Sequence, residues 1–385
     1  ISSIAFSEVK DVVDGNVERV FSRIFSIKEP INSPRMKRNL QAVGELLICK
    51  ENPGDYNQAL MELGQTHCSK SDPSCPLCPV RSFCQARKDK VQKEKLNYKI
   101  IENNINKILN EKNYISGGIR DIHYNDGDIY VSLLFKDKKG YSMDIYNAKF
   151  NKNYLNFNIF FKTNTYWDKY TVRQGGRIET YKNNQILLTI GDVTYRDKVQ
   201  SDDNFYGKII AIDKSKKSFK IVSKGHRNQQ GLYYLKKNDI IVNTEHGPKG
   251  GDEINLNKFD GKIQNFGWPV ASYGDEYTKK TEFLRSHKDN NFIEPLKYYV
   301  PSIGISEIEI KENINTKNEN LLLVSSLRAN SIYFIKVDED FKKIINEDRL
   351  FIQNQRIRDL KYDNIDGTIY MIFENTPSLG VIKLR

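Results

Sequence analysis

Apolar residues set two different rhythms along this chain. Up to about residue 66 they recur at helical spacing. After Asp14-Gly15-Asn16 come Val17, Val20, Phe21 and Ile24, three or four positions apart, so that they share one face. Asp14 stands where a helix N-cap belongs. A second helix is predicted over residues 36–48, and a third after Pro53-Gly54-Asp55, with Ala59, Leu60 and Leu63 on one side. Residues 87–98 are rich in charge and poor in apolar side chains, and read as a linker.

From about residue 99 the rhythm changes to short strands between turns, with no long helix. A unit recurs: a glycine, an apolar strand, a turn and a second apolar strand. It reads GGIRDIHYNDGDIYVSLLF at 117–135, GGRIETYKNNQILLTIGD at 175–192 and GLYYLKKNDIIVNTEHG at 231–247. Looser copies follow at 305–327 and 356–373. The five cores begin near Gly118, Gly176, Gly231, Ile305 and Ile357. Short strands repeated in this way read as propeller blades, whereas the alternative, a β-sandwich, lacks such self-similarity. The predicted architecture is therefore multidomain. A small all-α segment over 1–86 precedes an all-β propeller over 99–385.

At 385 residues the chain is long enough for two cores, and its 28% charged content is that of a soluble protein. No run of about 18 apolar residues predicts a transmembrane helix. No basic segment leads into an apolar stretch as a secretory signal would, so the chain as it stands reads as cytoplasmic. The net charge of +11 raises the question of a nucleic-acid partner. Lysine is spread through the whole sequence, however, so the charge reads as decoration of the surface.

Of the five cysteines, Cys49 is alone, and Cys68, Cys75, Cys78 and Cys84 follow C-x6-C-x2-C-x5-C. A disulfide framework would distribute its pairs through the fold. Four thiolates on one short segment point instead to a 4Fe–4S cluster or to zinc. This spacing, with VVDGNVERV at 12–20 and PGDYNQALMELG at 53–64, resembles adenine DNA glycosylase of the helix-hairpin-helix superfamily, over residues 1–86. The resemblance implies that the four cysteines ligate a 4Fe–4S cluster. It also implies that Asp14 is the carboxylate that stabilises the cationic state as the N-glycosidic bond breaks, with Asn16 beside it. The loop from Ser69 to Ser74, with Lys70, would approach phosphates of DNA. In that family the general acid, the adenine pocket and the DNA-gripping hairpin lie upstream of the position of Ile1. The resemblance therefore implies cluster binding, with weak DNA binding and no base excision.

The second part carries GHRNQQGL at 225–232, TEHGPKGGDEINL at 244–256 and NFGWPVASYG at 265–274. With GGRI at 175, VPSIGIS at 300, SSLRANSIY at 325 and RIRD at 356, these resemble the glucose/sorbosone dehydrogenase family. That family implies a six-bladed propeller, usually periplasmic, that binds pyrroloquinoline quinone (PQQ) and calcium and oxidises sugars. The segment 98–109, YKIIENNINKIL, then reads as the outer strand of a sixth blade left incomplete. Three carboxylates and a quinone need fixed cations and a metal. By the resemblance, Arg227, Asn228, His246, Asp252, Arg328, Arg356 and Arg358 contact the cofactor. The carbonyls of Gly247 and Pro248, with Glu253, would hold calcium.

Where the family has a histidine base before its Gly-Arg motif, this chain has Arg173, and arginine cannot take up a proton. A glutamine usual before the first Gly-Gly motif reads as Ser116. Of the remaining histidines, His246 faces the cofactor, His226 reads as structural and His123 as a blade-turn residue. Three functions stay open for the propeller: an active PQQ-dependent sugar oxidoreductase, a divergent or merely ligand-binding member, and an interaction propeller. The glycosylase segment adds base-excision repair as a further alternative, and the whole reads as a fusion of two unrelated pieces.

Overall fold

Asp14 starts the first helix as its position predicts. Its Oδ1 accepts the N–H groups of Asn16 and Val17, both at 2.9 Å, and Gly15–Ile24 is helical. The computed structural model describes residues 8–27, 34–69, 73–86, 101–111, 118–278, 282–312, 318–352, 354–375 and 377–383, with Ser3 and Ile314. The expected linker over 87–98 and the Ser116 position lie outside the described residues. So do residues 70–72 of the loop from Ser69 to Ser74. The chain divides into two units, Ile1–Ile100 and Ile101–Arg385. No helix among the described residues is long and apolar enough to cross a membrane.

In the first unit, Val17, Val20 and Phe21 are buried against Met36 and Leu40 of the helix Pro34–Leu47 and Leu63 of the helix Pro53–Thr66. A Cβ on Gly64 would come within 2.7 Å of the Asn16 Cβ, so glycine lets the first and third helices touch. Asn57 is fully buried, accepts from the Val12 amide at 3.3 Å and donates to the Lys10 carbonyl at 2.9 Å. It fixes the extended chain that leads into Asp14.

The second unit contains five antiparallel meanders. The first blade is Ile119–Asn125, Asp128–Asp137, Gly140–Lys149 and Asn158–Lys162. The second is Gly175–Tyr181, Gln185–Ile190, Lys208–Asp213 and Phe219–Lys224, with Gln264–Asn265 added in parallel at its edge. The third is Gln229–Leu235, Ile240–Glu245, Asp252–Asn257 and Lys297–Tyr299. The fourth is Ile305–Lys311, Asn320–Ser326, Ser331–Val337 and Ile344–Phe351. The fifth has three strands, Ile357–Asp363, Thr368–Phe373 and Ser378–Lys383. Apolar faces interleave between neighbours. Leu134 and Ile145 of the first blade meet Leu188 and Ile210 of the second, and Val242 of the third meets Ile308 and Val324 of the fourth.

All five inner strands carry a register shift near their start: Ile119/Asp121, Gly175/Ile178, Gln229/Gly231, Ile305/Ile308 and Ile357/Asp359. At this shift, Arg177 of the second blade reaches Asp121 of the first at 3.1 Å, Asp359 of the fifth at 3.0 Å, and Glu307 of the fourth. Two residues further along the strands, Glu179 lies 3.7 Å from His123, and Lys361 lies 2.5 Å from Glu309. These charged layers mark the axis on which the inner strands converge.

Three expectations need correction. The described residues form five blades, the last of three strands, beside one short parallel pair, Glu102–Asn103 with Tyr154–Leu155, and no sixth blade is among them. Of the segment 98–109, where an outer strand was expected, only Glu102–Asn103 is strand, and a helix, Ile105–Glu111, follows it. Ile105, Ile108 and Leu109 follow helical spacing, and Asn103 Oδ1 accepts the Ile105 amide at 3.0 Å. Ile105 and Leu109 pack on Val131, Leu133 and Phe157 of the first blade. Finally, His123 lies on an inner strand instead of in a turn, its Nε2 2.7 Å from Thr180 Oγ1.

Candidate functional site

Inner strands begin, and second strands end, on the same side of every blade. The loops there hold most of the residues singled out from the sequence. Before the third blade, His226 is fully buried, with Nδ1 2.9 Å from Glu245 Oε1 and Nε2 2.8 Å from Ser223 Oγ. It is structural, as read. Glu245 also accepts the Arg227 amide at 2.7 Å and Asn255 Nδ2 at 2.7 Å. Burial would raise the Glu245 carboxyl, but His226 and these donors bring it below the usual value.

That bracing holds Arg227, which is only 8% exposed. Its Nη1 donates to the His246 carbonyl at 3.0 Å, and its guanidinium lies 5.4 Å from the centre of the Trp268 ring. Arg227 Nε is buried without a partner, and burial lowers the pKa of the group, with Asp192 opposing. Asn228 Oδ1 accepts the Gly175 amide at 3.3 Å and Gln230 Nε2 at 3.1 Å. Gln230 Oε1 in turn accepts Arg358 Nη1 at 3.3 Å, which joins the fifth blade to the third.

His246 Nε2 sits 2.6 Å from the Ile305 carbonyl, so this nitrogen carries the proton, and Nδ1 lies 3.4 Å from Asn228 Nδ2. Burial holds its pKa below the usual histidine range. Both ring nitrogens are therefore engaged. Asp252 braces the same loop. Its Oδ2 accepts Ser302 Oγ at 2.7 Å and the Ile305 amide at 3.0 Å, while Oδ1 accepts the Gly247 amide at 3.3 Å.

A Cβ on Gly247 would come within 2.2 Å of the Gly250 and Gly251 carbonyl oxygens. The Pro248 carbonyl accepts the Tyr277 hydroxyl at 3.0 Å. Glu253 is buried 3.7 Å from His287 Nε2 and 3.3 Å from Asn255 Nδ2. Burial, and then Glu245, push its carboxyl well above the usual range. A buried carboxylate beside clustered carbonyl oxygens is a donor set that suits a hard cation.

Arg356 and Arg358 both bind Glu374, at 2.8 and 2.9 Å. Arg328 is exposed in the loop after Ser326, and its amide donates to the Ile303 carbonyl at 3.0 Å. The site thus unites Arg227, Asn228, His246, Gly247, Pro248, Asp252 and Glu253, links Arg358 through Gln230, and leaves Arg356 and Arg328 towards solvent. Arg173 forms a 3.1 Å salt bridge with Asp192, which also accepts Trp268 Nε1 at 2.9 Å. Sequence reasoning missed Asp192, Trp268, Arg196 and Gln230. Trp268 had a signal, being one of two tryptophans in the chain and lying inside a quoted motif.

In the helical unit, Cys68, Cys75, Cys78 and Cys84 line one open-sided cavity together with His67 and Arg23. Arg23 Nη1 lies 3.3 Å from Cys68 Sγ. Burial raises the Cys78 thiol. Among the described residues no three His, Cys, Asp or Glu side chains converge as around a single metal ion. Asp14 is a helix cap here, and Asn16 Oδ1 accepts Arg19 Nη2 at 2.8 Å.

Residues 83–380 match the glucose/sorbosone dehydrogenase family model. Aldose sugar dehydrogenase YliI of Escherichia coli is 25% identical over 218 residues, 52% of this chain and 57% of that protein. A solved glucose dehydrogenase shares the fold, with a TM-score of 0.58 at 21% identity, over 69% of this chain and 82% of its own. Adenine DNA glycosylase of Homo sapiens is 44% identical over 96 residues, 25% of this chain and 17% of that protein. The chain spans about half the length of the curated relatives it matches over the longer stretch.

Proposed function

The chain belongs to the glucose/sorbosone dehydrogenase family, and from that premise we propose that its propeller binds PQQ and calcium at the loop cluster around Arg227, as a divergent sugar oxidoreductase. The observation that carries this reading is Arg227 itself, a buried guanidinium whose Nε has no partner, held in place by Glu245 beside the cavity under Trp268. A carboxylate of the cofactor would complete it. Asn228 and Arg358 would fix the rest, and Gly247, Pro248 and Glu253 would supply oxygens to calcium. PQQ, when bound, supplies the acceptor for hydride from a sugar. The proton is the difficulty, since Arg173 cannot accept it and His246 is engaged at both nitrogens. Aldose oxidation should accordingly be weak, and a ligand-binding role is the second reading.

Calcium plus PQQ at about 100 times the dissociation constant should raise the Tm of the propeller on the order of 5 °C. Arg227→Ala and Arg358→Ala should each reduce the shift. Differential scanning calorimetry checks this, and no shift with either ligand would favour an interaction propeller.

For the helical unit we propose 4Fe–4S binding without base excision, because Asp14 and Asn16 are engaged in capping and in holding Arg19. Purified anaerobically, the protein should contain about four irons per chain and absorb in the visible, and Cys68→Ala should abolish both. A colourless protein with one zinc would overturn the assignment. In this reading the two units are joined as a fusion, and DNA is at most a weak partner of the first.

A further inference from the structure

We propose that the loop cluster of Arg173, Arg196 and Trp268 takes an anionic sugar, whose carboxylate or phosphate the two arginines hold. The inference rests on the loop cluster being the ligand site, and does not require that PQQ bind there. Asp192 and Trp268 are the hub. Asp192 Oδ2 receives Arg173 Nη1 at 3.1 Å and Trp268 Nε1 at 2.9 Å, and Oδ1 accepts the Thr194 amide at 3.0 Å. Arg196 lies 4.9 Å from the Trp268 ring centre and Arg227 lies 5.4 Å from it.

Two guanidinium groups, Arg196 and Arg227, therefore lie on one indole, Arg173 joins them through the shared Asp192, and two carboxylates accompany the three: Asp192, and Glu276, which is bound to Arg196. The balance is one positive charge in excess, in a place where Arg227 also keeps a buried, unpartnered Nε. A guanidinium presents a planar fork that matches a carboxylate or phosphate. With no cofactor carboxylate on Arg227, a neutral sugar would leave that excess uncompensated. Burial at the hub strengthens the interaction with an anion, because little water screens it. Tyr277 is 67% exposed, with its hydroxyl anchored on the Pro248 carbonyl, and its ring offers an apolar wall for the C–H face of a sugar. Arg173, which cannot serve as a base, thus has work to do as an anion ligand.

The test is isothermal titration of the full chain, free of PQQ, with glucose, glucuronate, glucose 6-phosphate and inorganic phosphate. Glucuronate or glucose 6-phosphate should bind at least about ten-fold more tightly than glucose, and the stronger of the two identifies the anionic group. Arg173→Gln and Arg196→Gln should each weaken that binding about ten-fold, with Arg173→Lys between, while added salt weakens it further. Circular dichroism shows which variants fold. Should Arg173→Gln not fold, Arg196→Gln and Arg173→Lys carry the test. Equal affinity for glucose overturns the proposal. So does inorganic phosphate binding as tightly as the sugar phosphate, or anion binding that ignores both arginines. A protein that binds glucuronate through Arg173 but shows no calorimetric response to PQQ would overturn the cofactor reading and leave this one standing. Binding of PQQ with no anionic sugar would do the reverse.

Discussion

Replacing Arg177 with leucine is expected to destabilise the propeller by about 3–5 kcal/mol, the cost of leaving buried charges without their partner. Arg177 is 7% exposed and touches carboxylates of three other blades, Asp121, Glu307 and Asp359. Without it, three acidic side chains face one another on the axis, where little water can screen them. For a unit of this size the loss corresponds to a fall in Tm on the order of 10 °C. Arg177→Lys should fall between, since an ammonium keeps the charge but not the fork. Removing Asp359 as well, as Asp359→Leu, should recover part of the loss. Calorimetry on the three variants measures this. A drop under about 1 kcal/mol for Arg177→Leu would mean that solvent reaches the axis.

The second large effect is on stability against pH. Burial pushes the Glu179 carboxyl up to about 8 and holds the His123 imidazole down to about 4, so the two meet as a neutral pair in spite of their 3.7 Å separation. The folded state holds a proton on Glu179 that the unfolded chain has already released above pH 4.5. This contribution is complete below the ordinary carboxyl value and is lost as pH rises through about 8, an effect on the order of 4 kcal/mol. His123 acts from the other side. The unfolded chain takes up its proton below the ordinary value of 6.5, and the folded state resists until about 4, so stability is lost as pH falls through that window. Burial raises Asp121 and Glu309 too, in the same direction as Glu179.

Urea unfolding should therefore show only a gentle decline between about pH 4.5 and 6.5, where Glu179 and His123 oppose each other, and a steeper decline from there up to about 8. Glu179→Gln should flatten that decline, because glutamine stays neutral throughout. Stability that rises from pH 6 to 9 in the unmodified chain would contradict this account of the axis.

Much of this was open to reading along the chain, because short-range rules produced it. The three helices came from apolar spacing, and Asp14 from its capping position. The five blade cores lie where the repeats begin, three of them led by glycine, since period-two alternation needs no knowledge of neighbours. The cysteine spacing placed four thiols on one loop, and they line one cavity. The segment 98–109 failed by a period error. Its place before a blade points to a strand, which forms only at Glu102–Asn103, while Ile105, Ile108 and Leu109 carry helical spacing.

Other features depended on residues far apart in sequence. Nothing near Arg177 announces Asp359, 182 positions away, and nothing near Arg173 announces that Trp268 donates to the same Asp192. His246 could be placed in a motif from sequence, but only the approach of Ile305 decided that its nitrogens are engaged. His123 read as a turn residue until the inner strands were brought onto a common axis. The sequence by itself determined the two kinds of secondary structure, the repeats and the types of side chain offered for chemistry. The tertiary structure decided which charges face each other, because Coulomb energies and burial depend on distance through space and on exclusion of water, and neither is written in the order of residues.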